Sequence, residues 1–242
     1  GVVEAINKLD GSPFAETDLE QLRHLHVYIS AFTANYLLYT QLEQTQEALI
    51  SKLAELSRLK DKETYNHTMR VGHYSALLAG AIGEDAEFVR LIGLAAPMHD
   101  IGKVGIPDAI IRKPGRLTDE EYTEMQAHTL NGYKILLVDK DSALTEMAAV
   151  IALEHHEHWN GQGYPKRKRG QEISLCARIT SIADAFDTMT SRRSYTQAKT
   201  FEFAFGEIAN HLASQFDPDL GRTFVDLEPG IREIRSQFPD EI

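Results

Sequence analysis

His99 and Asp100 stand side by side, followed by Ile101, Gly102 and Lys103, within a scattered set of histidines and carboxylates. Imidazole nitrogen and carboxylate oxygen together favour iron, manganese, zinc or nickel. All-oxygen sets suit magnesium and calcium, and thiolate sets suit structural zinc. Adjacent residues ligate together only where the backbone turns sharply. Gly102, with Gly105 and Pro107 beyond it, supplies that break at the end of an apolar helix expected over about Phe88 to Met98. A lone His-Asp pair is usually a cap or surface feature, so the other members of the set carry the weight. Glu63 and His67 are four apart in a helical pattern and share a face. His128 falls within the helix that Thr118 and Glu121 open as a capping box. His155 and His156 end an apolar helical run, Ala143 to Leu153, just before a glycine-rich loop, and Asp184 lies on a further helical segment, Ala177 to Met189. Five of the ten histidines are thereby drawn toward interior helix faces, where unpaired polar groups are costly. Such a set suits a multinuclear metal site that hydrolyses a phosphoester.

The elements that must position these residues read as helices. The chain has 242 residues, 43% of them hydrophobic, enough for one sizeable core plus an appendage. A net charge of -11 disfavours long DNA or RNA, which require a broad basic face, but not a small anion entering a metal-lined pocket. The single Cys176 excludes an intrachain disulfide framework and fits a reducing cytoplasm. No apolar stretch reaches membrane-spanning length. From a capping box at Thr17 to Glu20 a long helical pattern runs without Pro or Gly as far as Gly72. Leu42, Leu49 and Leu56 recur every seven residues there. This predicts either a parallel coiled coil that makes a homodimer or a helix laid on its own domain. Val2 to Leu9 alternates like a strand with no partner nearby in the sequence. The fold expected is mainly α: a helical bundle with a long N-terminal linker helix and a short N-terminal strand remnant.

Several separated motifs, in order, resemble the HD-GYP domains, a branch of the HD phosphohydrolases that degrade cyclic di-guanylate in bacteria. They are Glu63 to His67 with Arg70; His99 to Lys103 with Ile106 to Asp108; and Lys113 to Gly115 followed by His128. They continue as His155 to Glu157 with Trp159 to Pro165, then Ala183 and Asp184 with Phe186, Asp187, Thr190 and Ser191, then Arg193 to Tyr195. The N-terminal run Gly1 to Phe14 with Thr17 to Glu20 resembles the closing strand and helix of a GAF sensory domain. The resemblances divide the chain into a GAF-like remnant over 1–35, a helical linker over 36–60 and an HD-GYP domain over 61–242.

Carried over residue by residue, the resemblance implies that Glu63, His67, His99, Asp100, His128, His155, His156 and Asp184 are metal ligands, with Asp100 bridging two ions. Eight side chains, one bridging, fill nine positions, whereas two octahedral ions offer about twelve. Glu63 matches the residue that marks members able to hold three metals, so two or three divalent ions are expected, iron or manganese first, nickel or zinc as alternatives. Asp100 and Lys103 are the expected catalytic residues, and Lys103, Arg193 and Tyr195 the expected substrate contacts. The loop Gly163, Tyr164 and Pro165 is expected to border the site and to dock diguanylate cyclase domains. The family carries Arg or Lys after that tyrosine, where this chain has Thr196, and Lys199 is a candidate substitute. Asn160 replaces a common Asp with little expected effect. The run Lys166 to Arg169 is expected to be a solvated loop, or else an attractor for an anionic dinucleotide.

The implied activity is opening of cyclic di-GMP to linear pGpG, and on to GMP, by in-line attack of a metal-bridging hydroxide. Two alternatives remain at this point: a non-catalytic cyclic-dinucleotide sensor, and an HD phosphohydrolase acting on another nucleotide, such as a hybrid cyclic dinucleotide. His24, His26, His73, His158 and His211 read as surface or satisfied core residues.

Overall fold

The computed structural model describes residues 2, 4–9, 11–60, 65–137, 142–191 and 198–240, with the side chains of 43, 46–47, 49–51 and 53–60 left aside. It is a helical structure, as the periodicity requires. Among the described residues the only β pairing is one isolated bridge between Leu212 and Phe216. Val2 to Leu9 forms no strand among its described residues, because no neighbouring strand offers its backbone a hydrogen-bonding edge.

The chain divides into two compact units, Gly1–Leu49 and Ile50–Ile242. The division falls inside α1 (Glu16–Lys60). That helix begins before the expected capping box. Asp18 reaches back to accept from the Ala15 N–H at 2.7 Å, so the residue placed second in the box works from the third helical position. Many of its large apolar side chains are exposed, among them Val27, Tyr28, Phe32, Tyr36 and Leu38. No helix among the described residues is long and apolar enough to cross a membrane.

The second unit is a bundle of nine α-helices among its described residues beyond the end of α1: α2 (Tyr65–Ala81), α3 (Ala86–Ala95), α4 (Asp108–Ile111), α5 (Asp119–Leu136), α6 (Ala143–Glu154), α7 (Leu175–Thr190), α8 (Phe201–Asn210), α9 (Pro218–Asp226) and α10 (Glu228–Gln237). Its core joins α2 and α7 to α8 and α9 through aromatic rings. Phe186 lies against Phe205 at 4.7 Å, Phe224 at 5.3 Å and Tyr74 at 5.8 Å between centroids. Edge and tilted ring contacts add a modest increment to the area buried. On the other side α6 presents the small residues Ala148, Ala149 and Ala152, which let it lie close to its neighbours.

The backbone break that carries His99 and Asp100 comes earlier than the glycines suggest. Asp85 caps α3 by accepting from the Phe88 N–H at 2.8 Å, and the α-helix stops at Ala95. Pro97 lacks an N–H and crowds the preceding turn, so Ala96–Met98 tightens to a 3-10 turn. His99 and Asp100 follow, and a second 3-10 turn spans Ile101–Gly105. Gly102 has another role there. A Cβ at this position would stand 1.9 Å from the His128 carbonyl oxygen and 2.4 Å from the Gly132 nitrogen, so only glycine lets this turn press onto α5. That contact sets Asp100 beside His128.

Gly102→Ala is therefore expected to destabilise the chain by about 2–3 kcal/mol through forced separation of the turn from α5. Gly80→Ala, whose Cβ meets nothing nearer than 4.0 Å, is expected to stabilise by about 0.5–1 kcal/mol. Thermal melts of the two variants would read opposite signs.

Candidate metal centre

Seven of the eight residues carried over as ligands lie among the described residues, and they converge from five stretches of the fold. Asp100, His128, His155 and His156 bring ligand atoms within 4.8 Å of one another, and His67, His99 and Asp184 do the same. Asp100 stands between the two groups. Its Oδ1 is 3.3 Å from His128 Nε2 and 3.7 Å from His155 Nε2. Its Oδ2 is 3.3 Å from His99 Nε2. Asp184 Oδ1 lies 3.6 Å from His67 Nε2 and 3.7 Å from His99 Nε2. Glu63, Arg193 and Tyr195, and with them Thr196, lie outside the described residues.

The rings are aimed by their other nitrogens. His99 Nδ1 bonds to the Ala96 carbonyl at 2.9 Å, and His128 Nδ1 to the Met125 carbonyl at 2.7 Å. His155 Nδ1 lies 3.0 Å from the Ile151 carbonyl, and His67 Nδ1 lies 2.8 Å from Asp187 Oδ2. An acceptor at Nδ1 requires the proton there, so each Nε2 carries its lone pair into the cluster. The Nε2 atoms of His128 and His155 are buried and make no hydrogen bond. Lone pairs of this kind, set around two carboxylates, fit divalent first-row cations and would hold them directly.

Electrostatics favours the ligating form at His128, His156 and Asp100. Burial pushes the His128 imidazole down to about 4, against the opposing pull of Asp100. Burial, reinforced by the neighbouring His155, likewise holds His156 well below the usual imidazole value. At Asp100 burial resists ionisation, but the Lys103 ammonium outweighs it and holds the carboxyl well below the usual range. Lys103 Nζ sits 2.7 Å from Asp100 Oδ2, within the ligand cluster.

Two residues quoted in the motifs have a role that sequence alone does not reveal. Arg70 and Asp187 are fully buried and paired, Arg70 Nε to Asp187 Oδ1 at 2.6 Å and Nη2 to Oδ2 at 2.8 Å. Arg70 also donates to the Phe238 carbonyl at 2.7 Å, joining the C-terminal segment to the back of the site. Asp187 thus fixes the His67 ring while Arg70 neutralises it. Spacing offers a partial signal, since Asp184 and Asp187 are three apart on one helix face.

The GYP loop borders the cluster. Tyr164 packs its ring on His156 at 4.7 Å and lies 6.3 Å from His128. A Cβ on Gly163 would stand 2.4 Å from the His156 carbonyl oxygen, so glycine is required for the loop to fold back onto the two histidines. Asn160 Oδ1 accepts from the Gln162 N–H at 2.9 Å, the turn bond expected of an Asn at that place. The basic run after the loop is partly tied down. The Lys166 and Lys168 N–H groups donate to buried Glu157 at 2.7 and 3.0 Å, and Lys168 Nζ meets buried Glu154 at 2.5 Å. Lys199 places its ammonium 5.5 Å from the centre of the Phe203 ring. Among the other histidines, His73 stacks on Phe238 at 4.8 Å.

A family model described as HD domain matches residues 49–220. The chain belongs to the HD domain family. This HD domain protein is 41% identical over 203 residues to a protein of Thermotoga maritima named cyclic di-GMP phosphodiesterase, covering 84% of this chain and 55% of that one. It is 36% identical over 221 residues to a Vibrio cholerae protein named 3'3'-cGAMP-specific phosphodiesterase 2, covering 91% of this chain and 42% of the relative. The chain thus spans about half the length of the curated relatives it matches. Its fold is that of a solved cyclic GMP-AMP-specific phosphodiesterase of V. cholerae, with a TM-score of 0.60 at 19% identity over 78% of this chain and 50% of that one.

The buried imidazoles make the metal-free HD domain acid-sensitive. His128 is held down to about 4 when folded and returns to about 6.5 when unfolded, so the unfolded state binds the extra proton between those values. Stability should be full above about pH 6.5 and fall as the pH drops toward 4, by at most about 3 kcal/mol from this residue. Melts of metal-free protein across that range check it, and His128→Asn should flatten the slope.

Proposed function

We propose that this chain is the catalytic part of a metal-dependent phosphodiesterase that opens cyclic di-GMP to linear pGpG and, after a second cut, to GMP. The observation that carries the reading is the position of Asp100, whose two oxygens each face a separate group of histidines. The relatives' names and the GYP loop, by which the chain resembles the HD-GYP branch, support the substrate class.

His67, His99 and Asp184 would hold one divalent ion, and His128, His155 and His156 a second, with Asp100 bridging. Glu63 is the proposed additional ligand for a third. Bound ions of this kind supply a deprotonated water and polarise the phosphoryl oxygens. The protein's own groups do the rest. The backbone acceptors at Nδ1 hold the rings so that no reorganisation accompanies charge build-up. Tyr164, against His156, walls one side of the cluster from water. Lys103 brings a fixed ammonium to the phosphate, and Arg193 and Tyr195 are the proposed contacts to the phosphate and a base.

A second reading, cleavage of the hybrid cyclic GMP-AMP, is favoured by the 36% identical V. cholerae relative. Incubating the metal-loaded chain with cyclic di-GMP, 3'3'-cGAMP and cyclic di-AMP and separating the products by chromatography decides between them. We expect cyclic di-GMP to be linearised fastest. Asp100→Asn should remove activity and bound metal together, and Lys103→Ala should lower turnover by roughly 10²-fold with metal retained. No cleavage of any of the three would contradict the reading.

The N-terminal segment is proposed to close a GAF-like sensory domain, and α1 to pair two copies in the cytoplasm. Docking of diguanylate cyclase domains on the GYP loop is a further proposed partner contact. Support for pairing comes from α1's exposed apolar side chains, since exposed apolar residues repeated along one helix favour association. Light scattering of the chain should give a dimer mass, and Phe32→Glu with Tyr36→Glu should reduce it to a monomer. A monomer before substitution would discard the pairing.

A further inference from the structure

Beside the metal centre lies a cleft of about 400 Å³ that the motifs do not account for. It is lined by His155, His156 and Asp184 of that centre and, from α8 and the turn after it, by Glu207, His211 and Gln215. Met189 and Phe216 add apolar surface. Its volume lies in the lower part of the roughly 300–1,000 Å³ range of small-molecule sites. These residues are held in place. Ala204, Phe205 and Ile208 bury the other face of α8 in the core, and the Trp159 and Asn160 N–H groups donate to the Gln215 and Ser214 carbonyls at 3.0 and 2.9 Å. The turn is therefore fastened to the base of the GYP loop.

Glu207 is out of place in a cleft that must receive a phosphodiester. A carboxylate repels the phosphate and attracts a group with two adjacent donors. On a cyclic dinucleotide the matching group is guanine, whose N1–H and N2 amino hydrogens point the same way. The corresponding edge of adenine sets a lone pair at N1 beside a single amino donor, so it would meet the carboxylate with repulsion. His211 adds a second acceptor, because its Nδ1 is engaged by the Glu207 carbonyl at 2.8 Å and its Nε2 is left with the lone pair. Gln215 carries an amide N–H able to donate to guanine O6.

Building on the phosphodiesterase reading, we propose that Glu207, assisted by His211 and Gln215, recognises the donor edge of a guanine base stacked over Met189 and Phe216, and so selects guanine-containing cyclic dinucleotides. Glu207 is a specificity-determining residue here and takes no part in bond cleavage. A site built to pair with donors rejects the analogue lacking them more strongly than an apolar pocket rejects a misfit.

The test is equilibrium binding of cyclic di-GMP and cyclic di-AMP to the full chain, alongside kcat and KM for each and the metal content and melting temperature of every variant. The wild type should bind cyclic di-GMP more tightly. Glu207→Ala should weaken cyclic di-GMP by about tenfold or more, through KM rather than kcat, and leave cyclic di-AMP within about twofold. Metal content and melting temperature should not move. Glu207→Gln, which keeps the shape and loses one acceptor, should fall between. Equal affinity of the wild type for the two ligands, no binding of either, or equal losses for both in Glu207→Ala would overturn the assignment. Selective binding without hydrolysis would defeat the phosphodiesterase reading and leave the guanine recognition standing.

Discussion

Four buried imidazoles are each held at Nδ1 by an acceptor outside the cluster, and everything at the centre follows from that constraint. With the proton fixed at Nδ1, each Nε2 lone pair must face inward, toward Asp100 and Asp184. At His128 and His155 that lone pair is buried without a hydrogen bond, at a cost of roughly 1–3 kcal/mol each, and two side by side are not retained for stability. Burial also keeps His128 and His156 neutral near neutral pH, which is the form that binds a cation. The fold's helix ends serve this arrangement. Pro97 stops α3 so that His99 and Asp100 leave the helix together, and α6 ends at Glu154 so that His155 and His156 do the same.

Behind the ligands a second layer ties the site to the frame. Asp187 joins His67 to Arg70, and Arg70 joins both to the C-terminal carbonyl of Phe238. Glu154 and Glu157, buried just before and after the histidine pair, gather the loop that follows through Lys168, Ser174 and the Lys166 backbone. Buried charges are tolerated here because each is ion-paired or, like Glu157, hydrogen-bonded to backbone N–H groups; removing one partner would leave the other stranded. The centre and its bordering loop are thus fastened by polar bonds to the frame whose aromatic core joins α2, α7, α8 and α9.

Much of this was legible in the sequence, and the rest was not for identifiable reasons. The helical class follows from periodicity, and the capping box at Thr118 and Glu121 forms with bonds of 2.8 and 3.3 Å. His99 and Asp100 point to chemistry through the company of the other histidines and carboxylates of the set. Local rules misplaced the break, however: glycine was given the role that Pro97 plays, whereas Gly102 is required by a contact with α5 that no local pattern encodes. The expected strand at Val2 to Leu9 has the alternation but no edge to pair with. Asp187 and Arg70 stand far apart in sequence, so their ion pair is visible only in the fold. Glu207 and His211 carry no motif at all, and only the cleft between α7 and α8 gives them meaning.

The central claim is that Asp100 stands between two cation sites, one formed with His128, His155 and His156 and the other with His67, His99 and Asp184. Anomalous diffraction from crystals grown with manganese tests it most directly. The account predicts two peaks flanking Asp100, about 3.5–4 Å apart, each within bonding distance of its own histidines. A single peak, or none between these side chains in metal-saturated protein, would contradict it.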